Sequence, residues 1–475
     1  MRRTKIVATL GPSSDNVDIL CQMLQQGVDV VRVNFSHGEA GEQEGRVNRV
    51  REVAKKVGKE VAILADLQGP KIRIAKFRNR QVTLIRGDSF ILDAAMASGE
   101  GDEKAVGIDY KELPNDVFAG DTLLLDDGRI VLHVEQVSSP QIQCRVEVGG
   151  LLSNNKGINR RGGGLSAKAL TEKDKKDIKT ACSLEVDYIA VSFPRTAEDI
   201  KEARNLIHEA GGNACIIAKI ERQEAVNAID EIILASDGVM VARGDLAVEI
   251  GEAAVPGVQK HIIHRARTLD RPVITATQMM ESMIHSSVPT RAEVSDVANA
   301  ILDGTDAVML SAETAVGSYP VEVIEAVSRI CVGAEKHPRT LVSKHRVESH
   351  FGRIDEAIAM ATMYAANHMN IKAIVALTES GATPLWMSRI RSGIPIFGLS
   401  RHLRTLRKMT LFRGVYPIHF DATQIHRPEI NKRAVEELLQ KGLVSKGDLV
   451  IVTKGSAMGV HGGTNSMKIV EVGKK

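Results

Sequence analysis

The chain has 475 residues, too many for a single hydrophobic core and enough for two to four domains. It is 43% hydrophobic and 25% charged with a net charge of +3, the balance of a soluble globular protein, and aromatics at 3% are too few for the stacking platforms of a single-stranded nucleic-acid binder. No apolar run reaches membrane-span length, and the five cysteines are scattered without a CxxC pair, so a zinc or disulfide scaffold lacks support and a reducing cytoplasm fits best.

Short β-branched runs recur, each ending on polar or glycine residues. Thr4–Leu10 ends at Gly11-Pro12, and Val17, Leu20, Cys21 and Leu24 then fall at helical spacing with Gly27 as a stop. Asp29–Val33 ends at Asn34-Phe35-Ser36-His37-Gly38, and Val61–Ala65 at Asp66-Leu67-Gln68-Gly69-Pro70. From about Lys71 to Ser166 the texture is alternating and shows no amphipathic helix. Thr122–Leu125, Asp126-Asp127-Gly128 and Ile130–Val134 read there as a hairpin, and Arg161-Gly162-Gly163-Gly164 as a hinge. This is expected to be an inserted all-β module.

The strand–helix rhythm returns at Ala167, with strands expected at Asp187–Ser192, Cys215–Glu221, Gly238–Arg243, Pro272–Thr277 and Asp306–Ser311. Three strands before the insert and five after it suggest an eight-stranded barrel, with a doubly wound open sheet as the competitor. A smaller α/β region follows the polar stretch near Lys336–His350: helix at Asp355–Met369, strands at Lys372–Thr378, Ile394–Leu399 and Asp448–Thr453, and a helix at Glu429–Gln440. A Gly-rich loop at Lys454–Gly463 and a last strand close the chain.

Polar side chains sit where most of these strands run out: Arg32 and Asn34, Asp66, Lys219 and Glu221, Arg243 and Asp245, Thr275 and Thr277, Ser311 and Glu313. In a barrel such ends converge on one face. Lys219 and Glu221, two apart, share a side of their strand and place an ammonium beside a carboxylate; an ordinary ion pair is the plain alternative. Glu221 with Asp245 would offer two carboxylates to a magnesium-type ion, whereas alone Asp245 reads as a helix cap. Arg32 and Arg73 suit phosphate, unless they are surface ion-pair partners. Walker-type phosphate loops and protein-kinase motifs are absent.

Taken together, the segments Val31–Gly38, Ile216–Glu221, Met240–Leu246, Ala276–Met283, Pro289–Glu293 and Asp303–Glu313 resemble pyruvate kinase, in that family's order and over almost the whole chain. The resemblance implies an α/β protein: a TIM (β/α)8 barrel (1–70 and 167–340), an inserted β-barrel lid (71–166) and a C-terminal α/β regulatory domain (341–475). It implies a cytoplasmic homotetramer without nucleic-acid or membrane partners, acting on phosphoenolpyruvate and ADP in glycolysis. Arg32 would hold the transferring phosphoryl group and Lys219 would stabilise enolate and phosphoryl charge. Glu221 and Asp245 would bind Mg²⁺ or Mn²⁺, and Gly244, Asp245 and Thr277 would seat the substrate carboxylate. Thr277 with a water would relay the proton, and Asn34, Phe35, Ser36, His37, Arg73 and Lys156 would contact the nucleotide.

One segment departs from many members. Asp66-Leu67-Gln68-Gly69-Pro70-Lys71 carries Lys71 where they have a glutamate, and Leu67 where a threonine often ligates K⁺. The Lys71 ammonium is expected to replace K⁺, leaving Asn34, Ser36 and Asp66 as remnants of its shell and activity independent of K⁺. A solvent-facing lysine is the alternative. Thr378, Ser380, Gly381 and Thr383 lie at a strand–helix loop where the resemblance implies a phosphorylated effector, with a plain loop as the alternative. The competing functions are a metal-dependent pyruvate-type aldolase and a catalytically silent regulatory relative. Against the latter, Arg32, Lys219, Glu221 and Asp245 are all present.

Overall fold

In the computed structural model of the chain, residues 1–341, 350–456 and 462–474 are described. Eight parallel strands close into a barrel: β1 (Lys5–Thr9), β2 (Val30–Asn34), β3 (Ala62–Asp66), β4 (Tyr188–Val191), β5 (Cys215–Ile220), β6 (Gly238–Ala242), β7 (Val273–Ala276) and β8 (Ala307–Leu310). Pairing runs in chain order around the ring and β8 closes onto β1. The open-sheet competitor is excluded.

The period of two along each strand sorts its side chains. Val7, Val30, Leu64, Tyr188, Ile217 and Ile274 belong to the core cluster that fills the barrel, while their neighbours Ile6, Val31, Ile63, Ile189, Ile216 and Val273 pack with the surrounding helices. Continuing the inward parity to the strand ends reaches Thr9 on β1, Arg32 and Asn34 on β2, and Asp66 on β3. It reaches Ser192 just past β4, and Lys219 and Glu221 on and just past β5. These side chains form the top of the barrel filling.

Between β3 and β4 the chain makes a module of two sheets around one core that includes Phe90, Leu132 and Cys144. Six strands form one sheet; Gln81–Leu84 pairs with Gly150–Ser153 in a separate ribbon. The expected hairpin is present, with Leu125 opposite Ile130, and the only helix in the module is the single turn Leu113–Asp116. The hinge glycines Gly162, Gly163 and Gly164 have φ of 84°, 76° and 88°, left-handed backbone that a side chain would strain.

The C-terminal domain is a five-stranded sheet in the order β11 (Val415–His419), β10 (Ile396–Ser400), β9 (Ile371–Leu377), β12 (Leu449–Gly455), β13 (Thr464–Glu471), parallel except for β13. Part of the expected Lys454–Gly463 loop lies outside the described residues. This domain covers the lower end of the barrel, and its Met363, Met387 and Phe412 join the barrel-filling cluster. Arg389 and Asp306, each 1% exposed, form a two-pronged ion pair across the seam, with Arg389 Nη1 2.9 Å from Asp306 Oδ2. Tyr188 donates its hydroxyl to the Lys408 carbonyl at 2.6 Å.

Replacing Arg389 by Met strands the Asp306 carboxylate in the seam. The expected loss is about 3–5 kcal/mol, seen as an earlier thermal transition than wild type. An unchanged transition would show that the pair does not fasten the domains.

Candidate active site

Four of the inward-facing side chains form a chain of alternating charge across the barrel mouth. Arg32 Nε lies 2.6 Å from Asp66 Oδ2, Asp66 Oδ1 lies 3.3 Å from Lys219 Nζ, and Lys219 Nζ lies 3.0 Å from Glu221 Oε1. Asp66 and Glu221 are each 1% exposed and Lys219 is 12% exposed, so water screens little of this field. Burial alone would push the Asp66 carboxyl up, but Lys219 and then Arg32 outweigh it and hold it below the usual carboxylate range. Burial would likewise lower Lys219; Asp66 and Glu221 win and keep it firmly protonated. Glu221 has the opposite balance. Burial pushes it up to about 7, Lys219 only partly opposes this, and Asp245 adds to it.

Ser192 completes the setting of Lys219 and was not singled out from sequence. Its Oγ accepts from Lys219 Nζ at 2.7 Å and donates to the Leu67 carbonyl at 2.7 Å, so its proton is committed and its lone pairs face the ammonium. Lys219 therefore has one neutral hydrogen-bond acceptor, Ser192, and two carboxylates at ion-pair distance. The signal available in sequence was parity: Ser192 is two residues beyond Ala190, which faces the barrel interior.

A second group lies on the β6 and β7 ends. Thr277 Oγ1 accepts the Gly244 N–H at 2.9 Å and donates to the Ala276 carbonyl at 2.6 Å. Thr277 and Gln278 have φ of 64° and 54°, a strained conformation for a β-branched residue and one that marks functional sites. Arg243 holds that conformation: its guanidinium donates to the Thr277 carbonyl at 2.7 Å and pairs with Asp296 at 2.7 Å. Lys71 Nζ is 3.8 Å from Asp245 Oδ1.

Not every polar strand end belongs to the mouth. Thr275 faces outward and its Oγ1 meets Thr305 Oγ1 at 3.0 Å, while Glu313 accepts the N–H groups of Met280 and Ser311 at 3.1 and 2.6 Å. Both are internal fastenings. Asn34 Oδ1 accepts the Ser36 N–H at 3.1 Å, and Phe35 is 3% exposed, its N–H bonded to the Asp66 carbonyl and its carbonyl to Lys173 Nζ, so Phe35 itself is part of the core.

A cleft of about 970 Å³ separates lid and barrel. Its walls include Gly244 and Asp245 from the barrel and Lys71, Asp127 and Arg161 from the lid. Arg73 and Lys156 do not line it: Arg73 Nη1 donates to the Asn155 carbonyl at 2.9 Å and Lys156 Nζ pairs with Asp126 at 2.7 Å, both within the lid. Among the described residues no group of three His, Cys, Asp or Glu is preassembled for a metal. The donor set still fits a hard divalent cation. Glu221 lacks enough countercharge, Asp245 is near enough to act on it, and such ions take much of their shell from water and substrate.

An eight-stranded parallel barrel with a buried Arg–Asp–Lys–Glu chain at its strand ends, beside an inserted β module joined at three glycines, has the build of a barrel enzyme whose preset charges suit phosphoryl transfer. The family model described as pyruvate kinase, barrel domain, matches residues 1–324, and that described as pyruvate kinase, alpha/beta domain, matches 356–470. The chain is 58% identical over 476 residues to pyruvate kinase II of Salmonella typhimurium, covering 99% of each. It is 57% identical to the pyruvate kinase of Haemophilus influenzae, covering 96% of each, and 41% identical to that of Staphylococcus aureus, covering 81% of the latter. The chain belongs to the pyruvate kinase family, phosphotransferases that move the phosphoryl group of phosphoenolpyruvate to ADP and require a divalent metal.

Ser192→Ala is expected to lower kcat roughly tenfold or more, about 1.4 kcal/mol of barrier, with Mn²⁺ affinity little changed. In a Lys219→Met background the same change should alter the residual rate of ATP formation less than twofold. Equal losses in both backgrounds would show that Ser192 acts on the fold and not through Lys219.

Proposed function

We propose that the charge chain at the barrel mouth carries the transfer, with Arg32 holding the phosphoryl group and Lys219 meeting the charge that develops on the phosphoryl and enolate oxygens. The alternation Arg32–Asp66–Lys219–Glu221 is the observation that supports this most. Phosphoryl transfer asks mainly for positioning and neutralisation, and preset cations in a buried mouth provide both without reorganising. Asp66 fixes the spacing of the two cations. Glu221 and Asp245 are assigned to Mg²⁺ or Mn²⁺, which when bound neutralises phosphoryl and carboxylate oxygens.

The substrate carboxylate is assigned to Gly244, Asp245 and Thr277 at the start of helix Arg243–Ile250. The Gly244 N–H is held by Thr277 Oγ1, so a carboxylate taking that N–H frees the Thr277 hydroxyl's lone pair toward the site. That exchange suits Thr277 to organise the water that protonates the enolate. Asn34 to His37, Arg73 and Lys156 are assigned to the nucleotide; Arg73 and Lys156 would have to leave their contacts within the lid. Glu224 accepts the Gly164 N–H at 2.5 Å at the hinge, a bond that lid rotation would work against. Closure excludes water and limits loss of the phosphoryl group to hydrolysis.

Lys71 is assigned the place of K⁺, with Asn34, Ser36 and Asp66 as remnants of its shell, so activity should not need a monovalent cation. In support, its ammonium lies 3.8 Å from Asp245 Oδ1 at the mouth, with the side chain about one-third exposed. The C-terminal pocket supports a phosphorylated effector: Thr378, Ser380 and Thr383 line it with Lys454, Arg401 and Thr464, at the start of helix Ala382–Arg389 with Gly381 as its N-cap. The three-part domain division, the homotetramer, the glycolytic setting in the cytoplasm and the lack of nucleic-acid or membrane partners complete the reading. No described helix is long and apolar enough to cross a membrane.

ATP formation from phosphoenolpyruvate and ADP with Mg²⁺ in K⁺-free buffer tests this directly. Full activity without K⁺, and a gain of K⁺ dependence in Lys71→Glu, is the expected result. Activity that appears only with K⁺ refutes the Lys71 assignment while leaving the reaction intact.

A further inference from the structure

At the seam between the lower end of the barrel and the C-terminal domain lies a cavity of about 20 Å³. Five arginines line it, Arg3, Arg267, Arg389, Arg391 and Arg413, against one carboxylate, Asp306. Asp306 is occupied by Arg389 and by the N–H groups of Val273 and Arg413 at 3.0 and 3.1 Å. Arg3 is answered by Glu335, 3.6 Å from its Nε, and the nearby Asp303 carboxylate is turned to Lys260 at 2.5 Å. Among the described residues Arg267, Arg391 and Arg413 therefore have no carboxylate at ion-pair distance.

Backbone carbonyls take some of their N–H groups. Arg413 Nη1 donates to Ile301 O at 3.1 Å and Arg391 Nη2 to Leu302 O at 3.1 Å, both at the C-terminal end of helix Arg291–Asp303, and Arg267 Nη2 donates to Arg389 O at 2.9 Å. Carbonyl dipoles satisfy donors but offset only a fraction of three full charges. Among the described residues Arg413 Nη2 is buried with no hydrogen-bond partner. The guanidinium edges also converge: a methyl built on Gly304, which lines the cavity, would stand 3.1 Å from Arg267 Nη1 and 3.4 Å from Arg391 Nη2. Consistent with uncompensated charge, burial and then Arg391, Arg389 and Arg413 press Arg267 down to about 9. Burial also brings Arg413 down to about 10, with Arg3 and Arg391 adding to it against Glu335 and Asp306.

We propose that this seam is a binding site for a small monovalent inorganic anion of chloride or bromide size, held by Arg267 from the barrel and Arg391 and Arg413 from the C-terminal domain. The size follows from the space, which exceeds the ~10–15 Å³ that one water needs but is too small for a phosphate. Held by side chains from both domains, the anion fastens the seam beside the Arg389–Asp306 pair, remote from the effector pocket and from the catalytic mouth.

The test is a crystal of the full chain grown in sodium bromide, together with melting temperatures in sodium bromide and in sodium gluconate at equal ionic strength. An anomalous peak within hydrogen-bond reach of Arg413 Nη2 is expected. So is a saturable rise in melting temperature over gluconate of a few degrees in wild type, lost in Arg391→Ser and in Arg413→Met. No peak at the seam, or the same bromide increment in all three proteins, overturns the site. A phosphate increment that vanishes in the two variants, in place of the bromide one, overturns the size class.

Discussion

The catalytic mouth depends on one buried carboxylate. Asp66 stands between the Arg32 guanidinium and the Lys219 ammonium, and without it two cations on β2 and β5 would face each other in a space that water hardly reaches. Burying charge is costly, and pairing recovers that cost only when geometry is tight and the remaining lone pairs are used. Here the geometry is tight on the Arg32 side and looser toward Lys219, where Asp66 Oδ1 has an ion-pair contact but no hydrogen bond. The looseness is on the side where Lys219 must be able to turn to substrate. Ser192, neutral and fixed to the Leu67 carbonyl, supplies an anchor for Lys219 that persists when Glu221 is engaged elsewhere.

The barrel makes this arrangement nearly automatic. A parallel strand buried on both faces keeps its parity, so residues that follow the filling of Val30, Leu64 and Ile217 by steps of two have to arrive inside the mouth. Arg32, Asp66 and Lys219 could therefore be read from spacing once eight strands were accepted. The same rule removes Thr275, whose parity is outward, and a simple count of polar strand ends did not apply it. Ser192 escaped notice because a serine closing a strand is ordinary; only its inward parity sets it apart.

Other features were less legible for physical reasons. Strand β11 carries Pro417, which argues against a central strand, and it lies at the sheet edge, where a missing N–H is tolerated. Arg243 reads from sequence as a mouth residue because it ends β6, but its guanidinium turns to the carbonyls of the β7 loop, where it stabilises the left-handed Thr277. The arginines of the domain seam are spread from Arg3 to Arg413, and no local pattern announces that they meet. Long-range ion pairs of this kind are set by tertiary packing alone. The hinge was visible as three consecutive glycines, whereas its clasp to Glu224 was not.

The measurement that bears most directly on this account is the kinetics of Asp66→Asn, which keeps the shape and removes the charge between Arg32 and Lys219. A kcat at least about a hundredfold lower, roughly 2.7 kcal/mol of barrier, is expected in a protein that still folds and binds Mn²⁺ within a few-fold of wild type. A variant that folds and turns over within about threefold of wild type would contradict it, because the spacing of the two cations would then not rest on Asp66.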